Sequence, residues 1–177
     1  VKNAYEIYDH LNELNPYSVE DLLLAHHVMM RGLVQEDGVF RSKPVGVVDS
    51  HGNVNVSKFG PTIAGAGGFI DISQTAKKCV FCGTFTAGGL KTEVKDGKIR
   101  ILQEGKHKKF LKDVEHITFS GDYARENGQS VLYVTERAVF EMSSEGLVLK
   151  EIAPGIDLEK DILAQMDFKP LMPEEPV

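Results

Sequence analysis

No run of apolar residues in this 177-residue chain approaches the roughly 18 that a membrane-spanning helix requires. The opening VKNAYEIYDHLNEL also lacks a basic flank followed by an apolar stretch, the pattern that directs secretion, so a soluble cytoplasmic protein is the expectation. Basic residues are outnumbered, 20 Lys and Arg against 26 Asp and Glu for a formal charge of -6. Long-range electrostatics therefore disfavour nucleic acid and anionic membrane as partners. The local exception, Lys106, Lys108, Lys109 and Lys112, reads first as a solvated face and second as a phosphate-contacting patch. Cysteine is scarce. Cys79 and Cys82 form one C-V-F-C, and no second C-x-x-C exists to complete a metal site. With Val80 and Phe81 in a strand, a separation of three turns the two thiols to opposite faces, and two buried, reduced cysteines are expected. His26 and His27 are neighbours on a helical stretch and point about 100° apart, which argues against shared metal ligation. No internal repeat or low-complexity segment breaks the chain.

Hydrophobic residues make up 42% of the chain, enough for the core of one ordinary domain or two small ones. Residues 1 to 40 have a helical period. Tyr5, Tyr8 and Leu11 share a face until Asn15-Pro16 interrupts it, and Ser18 with Asp21 three residues on predicts a capping box ahead of Leu22, Ala25 and Met29. Gly32 is a plausible stop. From about residue 45 the period falls to two. KTEVKDGKIRIL predicts a hairpin around Asp96-Gly97, and SVLYVTERAVFEM with GLVLKEIA a second pairing around Ser143 to Gly146. A last helix over 157 to 167 is expected, capped by Asp157, with Leu158, Ile162 and Met166 as its stripe. Pro170, Pro173 and Pro176 mark a fraying tail over 171 to 177.

The most unusual stretch is GPTIAGAGGFIDIS, residues 60 to 73, with glycine at four of fourteen positions. On its residues alone it reads as a tight turn feeding a buried strand from Phe69 to Ile72. A dinucleotide fingerprint fits worse, because Ile70 stands where the third glycine should be. A second pair, Gly88-Gly89, reads as a turn ahead of the Asp96-Gly97 hairpin.

Two resemblances divide the chain near residue 48. LNPYSVEDLLLAHHVMMRGLVQEDGVFRSKPVGV, within residues 3 to 48, is similar to the region ahead of the catalytic core in Fic proteins, which transfer AMP from ATP to protein hydroxyls. From GNVNVSKFGPTIAGAGGFIDIS through FCGTFTAGGL, ITFSGDYA, LYVTERAVFE and EIAPGIDLEKDILAQMDFKP, residues 48 to 170 resemble the C-terminal end of short-chain acyl-CoA:carboxylate CoA-transferases of the propionate CoA-transferase type. The resemblance implies a helical segment over 1-47, an α/β segment with an open sheet and flanking helices over 48-170, and the tail. It implies a sheet containing Val80 to Thr84 and Val131 to Met142, packed by the helix over 157 to 167. It further implies a CoA thioester as substrate with no bound cofactor, acyl-CoA and short carboxylic acids as partners, and no metal.

In that family a glutamate carboxylate attacks the thioester, and backbone N-H groups in a G-x-G-G turn receive the oxyanion. Gly65-Ala66-Gly67-Gly68 stands at that turn, so the resemblance favours an oxyanion- and CoA-binding role there over a bare turn. For Gly88-Gly89 the resemblance adds CoA contact as the alternative to a turn, since ligands of open sheets sit at the carboxyl ends of strands. The nucleophilic glutamate belongs to an E-x-G motif ahead of the turn, where this chain carries the Fic-like helices. No catalytic residue is assigned. Ala124-Arg125-Glu126-Asn127-Gly128 imitates the motif, but it follows the turn, and Glu126 is expected to be a surface carboxylate. The Fic-like side lacks H-P-F-x-x-G-N-G-R and the inhibitory S/T-x-x-x-E-G/N helix, which leaves Gly38-Val39-Phe40-Arg41 a structural element.

Three expectations stay open. The chain is a CoA-transferase segment inactive alone, awaiting a complementing transferase chain or self-associating through uncovered strands; or a non-catalytic interaction or regulatory fusion, the Fic-type AMP-transferase fragment being its variant; or a joining artefact.

Overall fold

The computed structural model describes residues 2–15, 17–32 and 46–172. The chain divides into two compact units, Val1–Lys43 and Pro44–Val177. Pro16, Gly38-Val39-Phe40-Arg41, Pro173 and Pro176 lie outside the described residues.

In the smaller unit, α1 (Lys2–Asp9) leads through a 3-10 turn at Leu11–Glu13 to α2 (Val19–Met30). Ser18 Oγ accepts the Asp21 N-H at 3.1 Å, the cap the sequence predicts, but the Asp21 carboxylate reaches the Asn15 N-H at 2.8 Å instead of the Ser18 N-H. At the other end the Arg31 N-H donates to the His27 carbonyl and Gly32 follows with φ +75°, a left-handed stop that glycine takes at no steric cost. The two helices are tied by Asn3, whose amide donates to the Arg31 carbonyl at 2.8 Å, and by the Arg31 guanidinium on Glu6 at 2.8 Å. These polar contacts set which face of α1 turns inward. Ile7 is therefore buried, while Tyr5, Tyr8, Leu11, Leu22 and Met29, the expected apolar faces, are exposed.

The larger unit opens with β1 (Val47–Asp49), β2 (Val54–Asn55), β3 (Lys58–Phe59) and β4 (Thr62–Ile63), then α3 (Phe69–Gln74). Next come β5 (Lys78–Cys82), β6 (Thr86–Ala87), β7 (Lys91–Lys95), β8 (Lys98–Gln103), β9 (His107–Lys108) and β10 (Phe110–Leu111). After α4 (Gly121–Glu126) the chain closes with β11 (Ser130–Val134), β12 (Ala138–Ser143) and β13 (Gly146–Ile152). The main sheet has the order β13-β12-β11-β5, antiparallel except where β5 runs parallel to β11. A smaller sheet has the order β10-β1-β2. The α/β class holds.

Period-two alternation sorts the main sheet into rows. Phe81, Tyr133, Phe140 and Leu149 lie opposite one another across its four strands and face the core, where Tyr133, Phe140 and Leu149 are fully or almost fully buried. The next row, Val80, Leu132, Glu141 and Val148, faces the other way, and Val80 at the sheet's end is 56% exposed. Incomplete cover thus falls on one row and not on whole strands. The cysteines obey the same alternation. Cys79 is half-buried on the core side, where desolvation pushes its thiol pKa up, and Cys82 on the outer side of the end strand is exposed, so neither cysteine is buried as fully as expected.

Both hairpins form where predicted. Lys95 pairs with Lys98 across Asp96-Gly97, both at positive φ (53° and 71°), the two-residue turn whose twist matches paired strands. Ser143 pairs with Gly146 across the second. Three expectations fail. Phe69 to Ile72 is helical, because the stretch buries at a spacing of four: Phe69 is half-buried, Ser73 is buried and donates its hydroxyl to the Phe69 carbonyl at 2.7 Å, and Ile70 and Ile72 are exposed. The helix over 157 to 167 shrinks to a π turn at Leu158–Ile162 and a 3-10 turn at Leu163–Gln165. Asp157 caps it by accepting the Lys160 N-H at 2.8 Å, but Arg137 takes the Asp161 carbonyl, and Met166-Asp167 leaves to pair beside Phe110. Nor does the tail fray at once, since Leu171 exchanges backbone hydrogen bonds with Leu147 and Leu149 on β13.

One cation reaches into the core. Arg137 is fully buried and donates to Glu104 at 2.9 and 3.1 Å, to Glu136 at 2.8 Å and to the Asp161 carbonyl at 2.8 Å, with its guanidinium 4.8 Å above the Phe85 ring. Partial burial alone would raise the Glu104 carboxyl. Arg137, the Thr86 hydroxyl and the Gly105 N-H outweigh that and hold it below the ordinary value. A depressed carboxylate stabilises the fold above its unfolded pKa and loses that contribution as pH falls through the folded value. Glu104→Gln is expected to cost about 2 kcal/mol, discounted from a fully buried pair because the Glu104 side chain is 28% exposed. Urea midpoints should separate the two proteins at pH 7 and converge below about pH 4; equal midpoints at pH 7 would refute the account.

Candidate functional site

The glycine turn is positioned by a short hairpin. β3 and β4 pair Lys58 with Ile63 and Phe59 with Thr62 across Gly60-Pro61, which returns the chain to where it left. The Ser57 carbonyl then accepts both the Ala64 and Gly65 N-H groups, at 2.8 and 3.1 Å. Past that anchor Gly65 and Gly67 adopt φ of +77° and +55°, and Gly68 caps α3 with φ of -82°. The Phe69 N-H turns back to the Ala66 carbonyl at 3.1 Å. Among the described residues nothing accepts a hydrogen bond from the N-H of Ala66, Gly67 or Gly68, and Gly65, Gly67 and Gly68 are exposed. Three consecutive N-H donors without partners among the described residues are free to receive an anion or a developing oxyanion.

Gly88-Gly89 is a different structure. Both have positive φ, the Gly88 carbonyl accepts the Lys106 N-H at 3.2 Å, and the Gly89 carbonyl accepts the Gln103 side-chain amide at 2.7 Å. A Cβ at Gly88 would lie 2.8 Å from the His107 ring. The pair closes the link from β6 to β7, and no hydrogen bond among the described residues joins it to the turn at 65 to 68. Glu126 ends α4 as an exposed carboxylate. The lysine cluster is not one solvated face. Lys108 Nζ donates to Asp167 at 3.0 Å and to the Met166 carbonyl at 3.2 Å, while Lys109 Nζ donates to the Thr84 carbonyl at 2.8 Å and has its pKa lowered by desolvation, against the pull of Glu136. Lys106 and Lys112 are exposed. No group of three or more His, Cys, Asp or Glu among the described residues could hold a metal, and none of the described helices is long and apolar enough to cross a membrane.

No family model matches the chain. Acetate CoA-transferase YdiF of Escherichia coli strain K12 is 60% identical over 128 residues, 72% of this chain and 24% of that protein. Caffeate CoA-transferase of Acetobacterium woodii is 55% identical over 127 residues, 69% of this chain and 24% of its own length. Among solved structures, the apoenzyme of the acyl-CoA transferase YdiF from Escherichia coli O157:H7 matches with a TM-score of 0.71 at 59% identity, covering 72% of this chain and 25% of that one. The thioester complex of the same enzyme with CoA gives 0.72 at 59% identity, over 73% and 25%. Most of the chain is related to CoA-transferases. The chain spans about a quarter of the length of the curated relatives it matches. A match of 128 residues exceeds what the smaller unit holds, so most of it falls in the larger. The Fic-like reading of residues 3 to 48 gains no support from these relatives.

Sequence reasoning found the glycine turn and missed what holds it. Ser57, 59 residues from its partner His116, belongs to no local motif, and no spacing rule would have paired them. Gly67→Ala probes the turn itself. Open space surrounds a Cβ there, so its cost is the left-handed backbone alone, about 1 kcal/mol. A loss of unfolding free energy of that size in urea with unchanged circular dichroism is expected; no loss would mean that the turn does not hold positive φ at Gly67.

Proposed function

We propose that the larger unit is the oxyanion- and CoA-binding part of a short-chain acyl-CoA:carboxylate CoA-transferase, and that the isolated chain, lacking the nucleophilic glutamate, does not turn over. The 60% identity over 128 residues to an acetate CoA-transferase carries this reading. The CoA thioester of the matched complex supports acyl-CoA as the ligand class, a substrate and not a resident cofactor. The short carboxylic acid is the second substrate.

The chemistry divides between what this chain has and what it lacks. A carboxylate nucleophile attacks the thioester carbonyl, the oxygen becomes an oxyanion, and CoA thiolate leaves an acyl-carboxyl anhydride. The thiolate then attacks the anhydride at the enzyme carboxyl, releasing the first acid and leaving an enzyme thioester that the second acid opens by the reverse path. Donors 2.7–3.1 Å from each oxyanion lower these barriers. The N-H groups of Ala66, Gly67 and Gly68 are this chain's candidates for that role, with Gly65 setting the bend. Among the described residues the carboxylates beside the turn are Asp71, in the first turn of α3, and Glu115, which is engaged by Gly60 and Lys58; neither stands in an E-x-G motif ahead of the turn, and on this proposal a complementing transferase chain supplies the nucleophile. Incubation with acetyl-CoA and propionate should yield no propionyl-CoA, and addition of a transferase N-terminal portion should restore formation. Turnover by the chain alone would overturn the proposal that the nucleophile is missing.

A missing complement also leaves apolar surface in water. Ile63, Ile70, Ile72 and Val80 are exposed around the turn and the end strand. If about 400 Å2 of apolar surface is uncovered, roughly 10 kcal/mol is forgone, the scale of a whole domain's stability. Self-association through the larger unit is expected. The interaction-protein reading places the contact instead on the exposed Tyr5, Tyr8, Leu22 and Met29 of the smaller unit. Sedimentation at micromolar concentration decides between them. Association that survives deletion of residues 1–43 supports the transferase reading, loss on deletion supports the interaction reading, and a monodisperse monomer contradicts the self-association expected of the larger unit.

A further inference from the structure

The hairpin that leads into the glycine turn is a sheet of two strands only, β3 and β4, with Thr62, Ile63, Ala64 and Gly65 exposed. What fixes its direction is a second segment, residues 115 to 118. The Glu115 carboxylate accepts the Gly60 N-H at 2.8 Å at the hairpin's tip and pairs with Lys58 Nζ at 2.9 Å. One residue on, His116 Nδ1 lies 2.9 Å from Ser57 Oγ, and Thr118 Oγ1 lies 2.8 Å from the same atom. Ser57 is 6% exposed, so its hydroxyl is satisfied by these two partners. Its N-H is held by Asn55 Oδ1 at 3.1 Å, an almost fully buried side chain that also binds Lys58 at both its N-H and carbonyl. The carbonyl of this same residue anchors Ala64 and Gly65. Every polar group of Ser57 is therefore committed, and of the two side chains on its hydroxyl Thr118 is buried and His116 is exposed.

We propose that His116, acting through Ser57, is a positioning residue that sets the direction of the unpartnered N-H groups at Ala66, Gly67 and Gly68. The proposal rests on the assignment of that turn to CoA-thioester binding. In this role His116 acts on the backbone and not on the substrate. It fixes the Ser57 side chain, Ser57 fixes the Ala64-Gly65 backbone, and the donors follow within three residues. A short exposed hairpin with glycine on both sides has many conformations of similar energy, and a ligand that needs three aligned donors bears the cost of selecting one of them. The latch reduces that cost.

The test uses the full chain, with acetyl-CoA binding followed by calorimetry and amide exchange at Ala64 and Gly65 followed by NMR. His116→Ala removes the Nδ1 contact at an exposed position and should leave the melting temperature unchanged. Affinity is expected to fall about tenfold, the weight of one organising hydrogen bond, with faster exchange at Ala64 and Gly65. His116→Asn, whose amide can occupy the Nδ1 position, should restore affinity to within about threefold and restore protection. A purely structural loss would not show this rescue. Unchanged affinity and exchange in His116→Ala would overturn the latch. If the unaltered chain binds no acetyl-CoA, the ligand assignment of the turn fails, and the exchange arm still decides the latch: faster exchange at Ala64 and Gly65 supports it, and identical exchange refutes it.

Discussion

A guanidinium with no access to water must be fully compensated, and in the larger unit that requirement at Arg137 dictates where several connections run. Its compensation comes from four directions: Glu104 after β8, Glu136 in the turn from β11 to β12, the Asp161 carbonyl in the π turn, and the Phe85 ring. Phe85 is doubly held, because Glu136 also accepts its N-H at 2.8 Å while its ring stacks on Phe110 at 4.6 Å. The three-residue link between β5 and β6, residues 83–85, is thereby tied to the core. A buried ion pair contributes little net stability once desolvation is counted, but an orphaned partner is severely penalised, so such a cluster specifies one arrangement more than it strengthens it. The shortened helix after Asp157 follows directly. Its Asp161 carbonyl serves Arg137.

A second buried set does for the front of the unit what Arg137 does for the back. Asp49, 3% exposed, accepts the N-H groups of His51 and Asn53 with one oxygen and the Asn53 amide and Val114 N-H with the other. Asn53 passes the constraint on by accepting the Gly121 N-H at 2.9 Å, and Tyr133 closes the turn from the sheet by donating to the Gly52 carbonyl at 2.6 Å. Residues 114 to 121 are thus docked against β1 and β2. The segment that carries Glu115, His116 and Thr118 is held at both ends, which is why exposed side chains on it can steer the hairpin.

Local chemistry was legible in the sequence, and long-range polar pairing was not. Asp96-Gly97, Ser143 to Gly146, the Ser18 and Asp157 caps and the strands of the main sheet all follow from spacing within a dozen residues. Phe69 to Ile72 was misread because F-I-D-I offers an apolar alternation that competes with the four-residue period of Phe69 and Ser73, and burial of Ser73 chose the helix. Arg137 lies in T-E-R between two apolar strands, where any propensity argument reads an exposed turn. Its burial depends on Glu104, 33 residues away. The glycine turn was visible because glycine composition records backbone conformation, yet its support comes from residues whose polar character has no periodicity to reveal it.

Three unpartnered N-H donors in water have limited catalytic value, since solvent already satisfies them and the effective dielectric is high. The same donors under cover, facing a charge that develops during reaction, are worth far more, because no reorganisation is needed and no water competes. On the proposed function, this chain holds donors at a turn left exposed on a hairpin, flanked by apolar side chains that also stand in water. Those two exposures belong together. A complementing surface that buries Ile63, Ile70 and Ile72 would at the same time exclude water from the N-H groups beside them. Association and oxyanion stabilisation would then be one event, so an arriving glutamate would find the donors in a dry site.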